Sequence, residues 1–207
     1  MYLVKTPFWL RALYPGCTWK IPSKEKVIYL SFDDGPHPEA TPFVLAQLKK
    51  YNAKATFFCI GKNVAAHHSI YDQIIQEEHA VGNHTYDHVN GWKTDTASYL
   101  DNIKTASHLI SSNLFRPPYG RISRAQLKAI AADKTMPQQI MMWDVLSGDF
   151  DVALSPAKCT RNVIRNVKPG SIIVFHDSAK AFERLQVALP ATLEYFTQLG
   201  YRFESIK

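Results

Sequence analysis

Three cysteines in 207 residues are too few and too scattered for a disulfide framework: Cys17, Cys59 and Cys159 form no C-x-x-C pair and are odd in number. The same spacing excludes a cysteine-built zinc centre. Cys59, inside the apolar run ATFFCI, reads as a buried thiol. No stretch approaches the roughly 20 apolar residues that cross a bilayer. The N-terminus is interrupted by Lys5, Pro7, Arg11 and Pro15 before an export core can form. As written, the chain is therefore expected to be unexported and cytoplasmic, with no membrane insertion. Neither sign of charge gathers into a tract. Twenty-four Lys and Arg against 18 Asp and Glu leave +6, yet no basic run exceeds Lys49-Lys50 and no nucleic-acid motif accompanies it. Nucleic acid is not an expected partner. Repeats, low-complexity tracts and linkers are also missing, which leaves one domain.

What is present is ordinary globular composition, 46% hydrophobic and 20% charged, with a regular rhythm. Residues 1–26 read as an irregular lead-in, because Pro7, Pro15 and Pro22 discourage a long helix. From residue 27, strands at 27–32, 55–60, 80–84, 114–115, 139–145, 171–176 and 201–206 alternate with helical periodicity. The helices are expected over 38–51, 63–78, 94–112, 123–132, 155–166 and 181–199. Such alternation implies βαβ units and an α/β fold with a parallel sheet of about seven strands. The strand count fits a closed or nearly closed barrel, with an open doubly wound sheet as the alternative that spacing alone leaves open. The lead-in (1–26) is set apart from a domain spanning 27–207.

Ionisable residues gather at one end of the expected strands, where barrels and doubly wound sheets build their sites. Asp33 and Asp34 end the run VIYLSF, and Gly35-Pro36 stops that strand with a turn. Strand alternation predicts that these two carboxylates face different sides. His84 and His88, spaced i, i+4, are expected on one face of a helical turn and suit one metal ion. Two histidines plus a carboxylate leave coordination positions open, as a catalytic ion requires. Arg116 opens a proline-stiffened loop, RPPYG, after a short strand. His176 follows the apolar run SIIVF at the rim of the core, with Asp149 a candidate to orient it.

The ordered set SFDDGP, HTYDH, RPPYG, WDVLSGDF and VFHD resembles the five motifs of the NodB-homology polysaccharide deacetylases, carbohydrate esterase family four. The resemblance runs from about residue 27 to the C-terminus. It implies a distorted (β/α) barrel and a metal-dependent hydrolase that removes acetyl groups from an N-acetylated poly- or oligosaccharide, chitin-like or peptidoglycan-like. Carried over by motif, Asp33 is the general base, and Asp34, His84 and His88 hold a divalent ion, zinc first, with cobalt, nickel or manganese as alternatives. Arg116 pairs with Asp33, and the Tyr119 backbone N–H helps bind the oxyanion. His176 is the general acid, with Asp149 as its partner. Departures fall on the pocket wall: Leu146 stands where an aspartate is expected, Phe150 replaces a tryptophan, and Val174 replaces the leucine beside the acetyl methyl. Tyr119, Val174 and Phe150 thus line the expected substrate site. Competing readings are an O-acetyl esterase on xylan-like glycans, an amidase of a non-sugar amide, and a carbohydrate-binding protein on a retired deacetylase fold.

Overall fold

The apolar runs become the staves of one parallel sheet. In the computed structural model, which describes residues 2–207, the strands are β1 (Cys17–Thr18), β2 (Val27–Asp33), β3 (Ala55–Cys59), β4 (Ala80–Asn83), β5 (Leu114–Phe115), β6 (Gln139–Met141), β7 (Val145–Leu146), β8 (Ile172–His176) and β9 (Arg202–Phe203). The helices between them are α1 (Phe8–Leu13), α2 (Ala40–Lys50), α3 (Gly61–Ala66), α4 (His68–Gln76), α5 (Thr96–Ser107), α6 (Arg124–Ala132), α7 (Pro156–Asn166) and α8 (Ala179–Gln198). The sheet runs β1-β6-β5-β4-β3-β2-β8-β7, with β9 added beside β2. Every pairing between these strands is parallel. The fold is the expected distorted (β/α) barrel, a curled parallel sheet, and the open doubly wound alternative falls away.

The distortion sits in residues 139–146, where one strand over 139–145 is expected and two form instead. Its first half pairs with β1 and β5 and its second half with β8, so this segment joins the two ends of the sheet path. Between the halves the Met142 N–H donates to Thr18 and the Asp144 N–H to Ile172. A chain that changes partners mid-course cannot remain a single strand. β2 is the central stave: Phe32 joins Phe57 and Phe175 in stacked contacts on the helix side, within the largest buried apolar cluster. Ser31 and Asp33, two apart, share the opposite face.

Local departures have physical causes. The expected helix over 63–78 breaks at His67 (φ −132°, ψ 48°) into α3 and α4. The break frees α3 to start against the loop after β4, where the Gly61 and Lys62 N–H groups donate to Thr85 and Tyr86 carbonyls. The last strand shortens to Arg202–Phe203. The lead-in is more ordered than its prolines suggest, since it forms α1 and adds β1 to the sheet edge. Buried Asp144 anchors it through ion pairs with Lys5 and Arg11 and a bond from Ser171.

Candidate active site

The C-terminal ends of β2, β4, β5 and β8 open into one cleft of about 670 Å³. Asp33 closes β2 with its side chain buried, and the Arg116 Nη1 donates to its Oδ1 at 2.6 Å. The guanidinium is itself fully buried. Its Nη1 also reaches Ser31 Oγ, its Nε and Nη2 donate to the Met141 and Met142 carbonyls, and its centre lies 4.0 Å from the Phe58 ring centroid. Burial lowers the Arg116 pKa and Asp33 raises it, so the pair is mutually dependent.

Asp34 and Asp33 do not diverge by strand alternation. Asp34 leaves the extended region at φ 82°, ahead of a cis Gly35-Pro36 bond, and so turns toward the same cleft as its neighbour. Its Oδ1 lies 3.6 Å from His84 Nε2 and 3.2 Å from His88 Nε2. Burial alone would raise the Asp34 carboxyl, but the bond from His88 and the surrounding histidine charge hold it well below the usual range.

The two histidines are not on a helical turn. Residues 84–88 form a loop with Thr85 and His88 in the left-handed region, φ 63° and 58°. Side chains have taken the backbone hydrogen bonds that a helix would use. Asn83 Oδ1 accepts from the Thr85 N–H, Asn102 Oδ1 from those of Tyr86 and Asp87, and Thr85 Oγ1 from that of Val89. The convergence expected from i, i+4 spacing survives by this other route.

Asp34, His84 and His88 each offer one ligand atom, all within 4.8 Å of one another. This donor set fits a divalent ion of the zinc type. His84 Nδ1 donates to the Arg116 carbonyl at 2.7 Å, which fixes the tautomer and leaves the Nε2 lone pair facing Asp34. Burial lowers the His84 pKa to about 4, so its imidazole is a neutral ligand at pH 7. Across the cleft, His176 Nδ1 donates to Asp149 Oδ1 at 2.8 Å, and the other Asp149 oxygen accepts the His176 backbone N–H at 2.7 Å. Burial would lower the His176 pKa, but Asp149 outweighs it, and with Asp34 and Asp33 raises the value to about 9.

Tyr119 sits in the left-handed region at φ 59°, its ring 4.5 Å from that of His88. Gly120, at φ 64°, lets the same turn pack against Trp143, where a Cβ would fall 2.5 Å from the indole.

Comparison with known proteins decides the family. Residues 20–136 match the family model for polysaccharide deacetylase. The chain is 33% identical over 195 residues to a peptidoglycan-N-acetylglucosamine deacetylase of Bacillus cereus, covering 91% of this chain and 90% of that protein. This chain belongs to the polysaccharide deacetylase family. Another relative, the chitooligosaccharide deacetylase of Azorhizobium caulinodans, is 34% identical over 169 residues, 78% of this chain and 79% of its own. Among solved structures, the Bc1960 peptidoglycan N-acetylglucosamine deacetylase in complex with 4-naphthalen-1-yl-N-oxidanyl-benzamide superposes with a TM-score of 0.86 at 33% identity, over 97% of this chain and 95% of that one. As a polysaccharide deacetylase the protein is a hydrolase of carbon–nitrogen bonds other than peptide bonds. The family is metal-dependent, and Asp34, His84 and His88 are where this member can hold the ion.

The deacetylase cleft gathers every residue singled out in the sequence except Asp149, which stands behind His176 (15% exposed side chain), and Arg116, which stands behind Asp33. Leu146, Phe150 and Val174 all line it, and Phe150 packs edge-on against His176 at 5.2 Å. Three contributors were missed. Arg184 Nε donates to the Asp149 carbonyl at 2.6 Å, and Asn63 Nδ2 to that of Asp34 at 2.7 Å. Asp177, fully buried, accepts from the Gly35 N–H at 3.1 Å and from Thr41 Oγ1 at 2.6 Å, while its own N–H donates to the Asp33 carbonyl. Burial raises the Asp177 carboxyl to about 8, and asparagine is its neutral isostere. A Cβ on Gly35 would fall 2.1 Å from its Oδ2. Its sequence signal is the last residue of VFHD, directly after His176 at the strand end. Asp177→Ala should therefore destabilise the fold by about 2–4 kcal/mol through two orphaned buried donors and lower turnover with it. Asp177→Asn should recover most of both, as read by urea unfolding and acetate release.

Proposed function

We propose that the enzyme removes acetyl groups from N-acetylated sugars of a peptidoglycan-like or chitin-like glycan, with a divalent ion, most simply Zn²⁺, held by Asp34, His84 and His88. The observation that carries the reading is the disposition of three units in one cleft: the ligand trio, the Asp33–Arg116 pair and the Asp149–His176 pair. Hydrolysis of an acetamide needs an activated water, a stabilised oxyanion and a proton for the departing amine. When bound, the ion supplies Lewis acidity to the acetyl carbonyl and acidifies water toward a pKa of about 7. Asp33, held in place by its pair with Arg116, takes the proton from the attacking water as the C–O bond forms. The Tyr119 backbone N–H helps hold the oxyanion. His176, its Nδ1 proton fixed on Asp149, presents Nε2–H and gives that proton to the sugar nitrogen as the C–N bond breaks. Acetate and the free amino sugar result. Val174, Phe150 and Tyr119 wall the substrate site. We assign this machinery to the domain at residues 27–207, with 1–26 as a strap over the barrel edge.

The protonated His176 sets the alkaline limit. A histidine whose folded pKa is raised contributes stability fully below its unfolded value, and loses it as pH rises through the folded value, here about 9. Acid catalysis is lost over the same rise. Asp149→Asn removes the largest supporting charge, so the alkaline limb of kcat/KM should move down by about one to two pH units. An unmoved limb would remove His176 from the acid role.

Acetate release measured side by side on N-acetylchitooligosaccharide, peptidoglycan fragments and acetylxylan tests the reading. Release from the two N-acetylated glycans is expected. Release from acetylxylan alone would replace it with an O-acetyl esterase.

A further inference from the structure

The cleft extends past the acetyl-binding end into a rim that the chemistry above does not use. Trp92, 58% exposed, stands in the loop between β4 and α5 and lines this rim. It is not loose: its indole N–H donates to the Ile122 carbonyl at 3.2 Å, and the Arg121 guanidinium lies 4.2 Å from the ring centroid. A solvent-facing indole held on two sides is a stacking surface, and Arg121 keeps its donor edge for a second partner.

Charge around this surface is one-sided. Lys93 and Arg121 line the cleft on the side of Trp92, and Lys180 lines it on the side of His176. All three are exposed. Among the described residues, none of the three is within ion-pair distance of a carboxylate. The lining contains only two carboxylates, Asp33 and Asp34, both committed to Arg116 and the histidines. Lys180 belongs to the first turn of the 20-residue α8, whose cap residue Ser178 also lines the cleft and makes no side-chain capping bond. The positive end of that helix adds to the lysine. A solvated surface lysine needs no ligand. Three unpaired cations, two from separate loops and one from the first turn of α8, converging on a cleft with no free acid, form a field that attracts anions.

We infer that Trp92, Arg121, Lys93 and Lys180 form a subsite for a glycan residue bearing an ionised carboxylate next to the acetamido sugar that is cleaved. The inference rests on the deacetylase reading for the identity of the cleft. It narrows the substrate class from N-acetylated glycans in general to those carrying carboxylates, such as a lactyl ether or a short acidic peptide. Neutral chitin-like chains would engage only the indole.

The test is titration calorimetry of the full chain with two tetrasaccharides of identical length. One alternates N-acetylglucosamine with its lactyl-carboxylate derivative, and the other has each carboxylate converted to a methylamide. The charged glycan is expected to bind about tenfold or more tightly, with the margin shrinking as salt is raised. A Lys93→Ala, Arg121→Ala, Lys180→Ala triple variant is expected to lose that margin. Equal affinity for the two glycans, or an undiminished margin in the triple variant, overturns the subsite. Acetate assayed in the same samples separates the two readings. Release from both glycans at equal affinity leaves the deacetylase standing alone, and a charge preference without acetate leaves the subsite standing alone.

Discussion

His84→Ala should remove bound divalent metal and acetate release together, whereas Asp33→Asn should keep the metal and lose turnover. His84 is 1% exposed and offers one of the three ligand atoms of the Asp34, His84 and His88 trio proposed to hold the ion. Nothing else within the trio can replace it, and Lewis acidity contributes several kcal/mol to the barrier. A fall of at least about a thousandfold in kcat is expected, with metal content near zero by elemental analysis. Asp33 instead touches Arg116, outside the ligand set. Asn preserves its shape but cannot take a proton, so the loss is that of a positioned base, on the order of 10² to 10⁴. Wild-type metal in the His84 variant would refute the ligand assignment.

The second large effect concerns stability. Arg116→Leu should lower unfolding free energy by about 3–5 kcal/mol, because it leaves the Asp33 carboxylate buried without its counter-charge. Two carbonyls and Ser31 lose their donor at the same time. For a chain of this size, roughly 10 °C in Tm is expected. Adding Asp33→Leu should recover much of that stability, since an apolar pair of similar volume is often no worse than a buried ion pair. It should recover none of the activity. Thermal melts of the single and double variants, run beside acetate release, distinguish a pair kept for chemistry from one kept for folding.

Legibility in the sequence followed the range of the interactions concerned. β2, β3 and β8 were visible because each is buried on both faces, so its run of apolar residues is continuous. Asp33, Asp34, His84, Arg116 and His176 were visible because each directly follows or ends such a run. The path of residues 84–88 was not, since the loop is shaped by Asn83 and by Asn102, a residue on another helix. The split of 139–146 was hidden likewise, because periodicity cannot show that one apolar segment has two sets of partners. Residues 1–26 carried proline signals that argue against long helices, and the short α1 obeys them. What holds the strap down is Asp144, more than 130 residues away. Asp177 was overlooked because its work is internal: it ties the Gly35 turn to α2 through Thr41 and never faces the cleft.

The most direct measurement is acetate release from an N-acetylated glycan by protein stripped with a chelator, then titrated with Zn²⁺ while bound metal is counted. Activity should fall to background on stripping and return in proportion to metal, saturating at one ion per chain in the wild type and never in His84→Ala. Full acetate release from protein shown to be metal-free would contradict it.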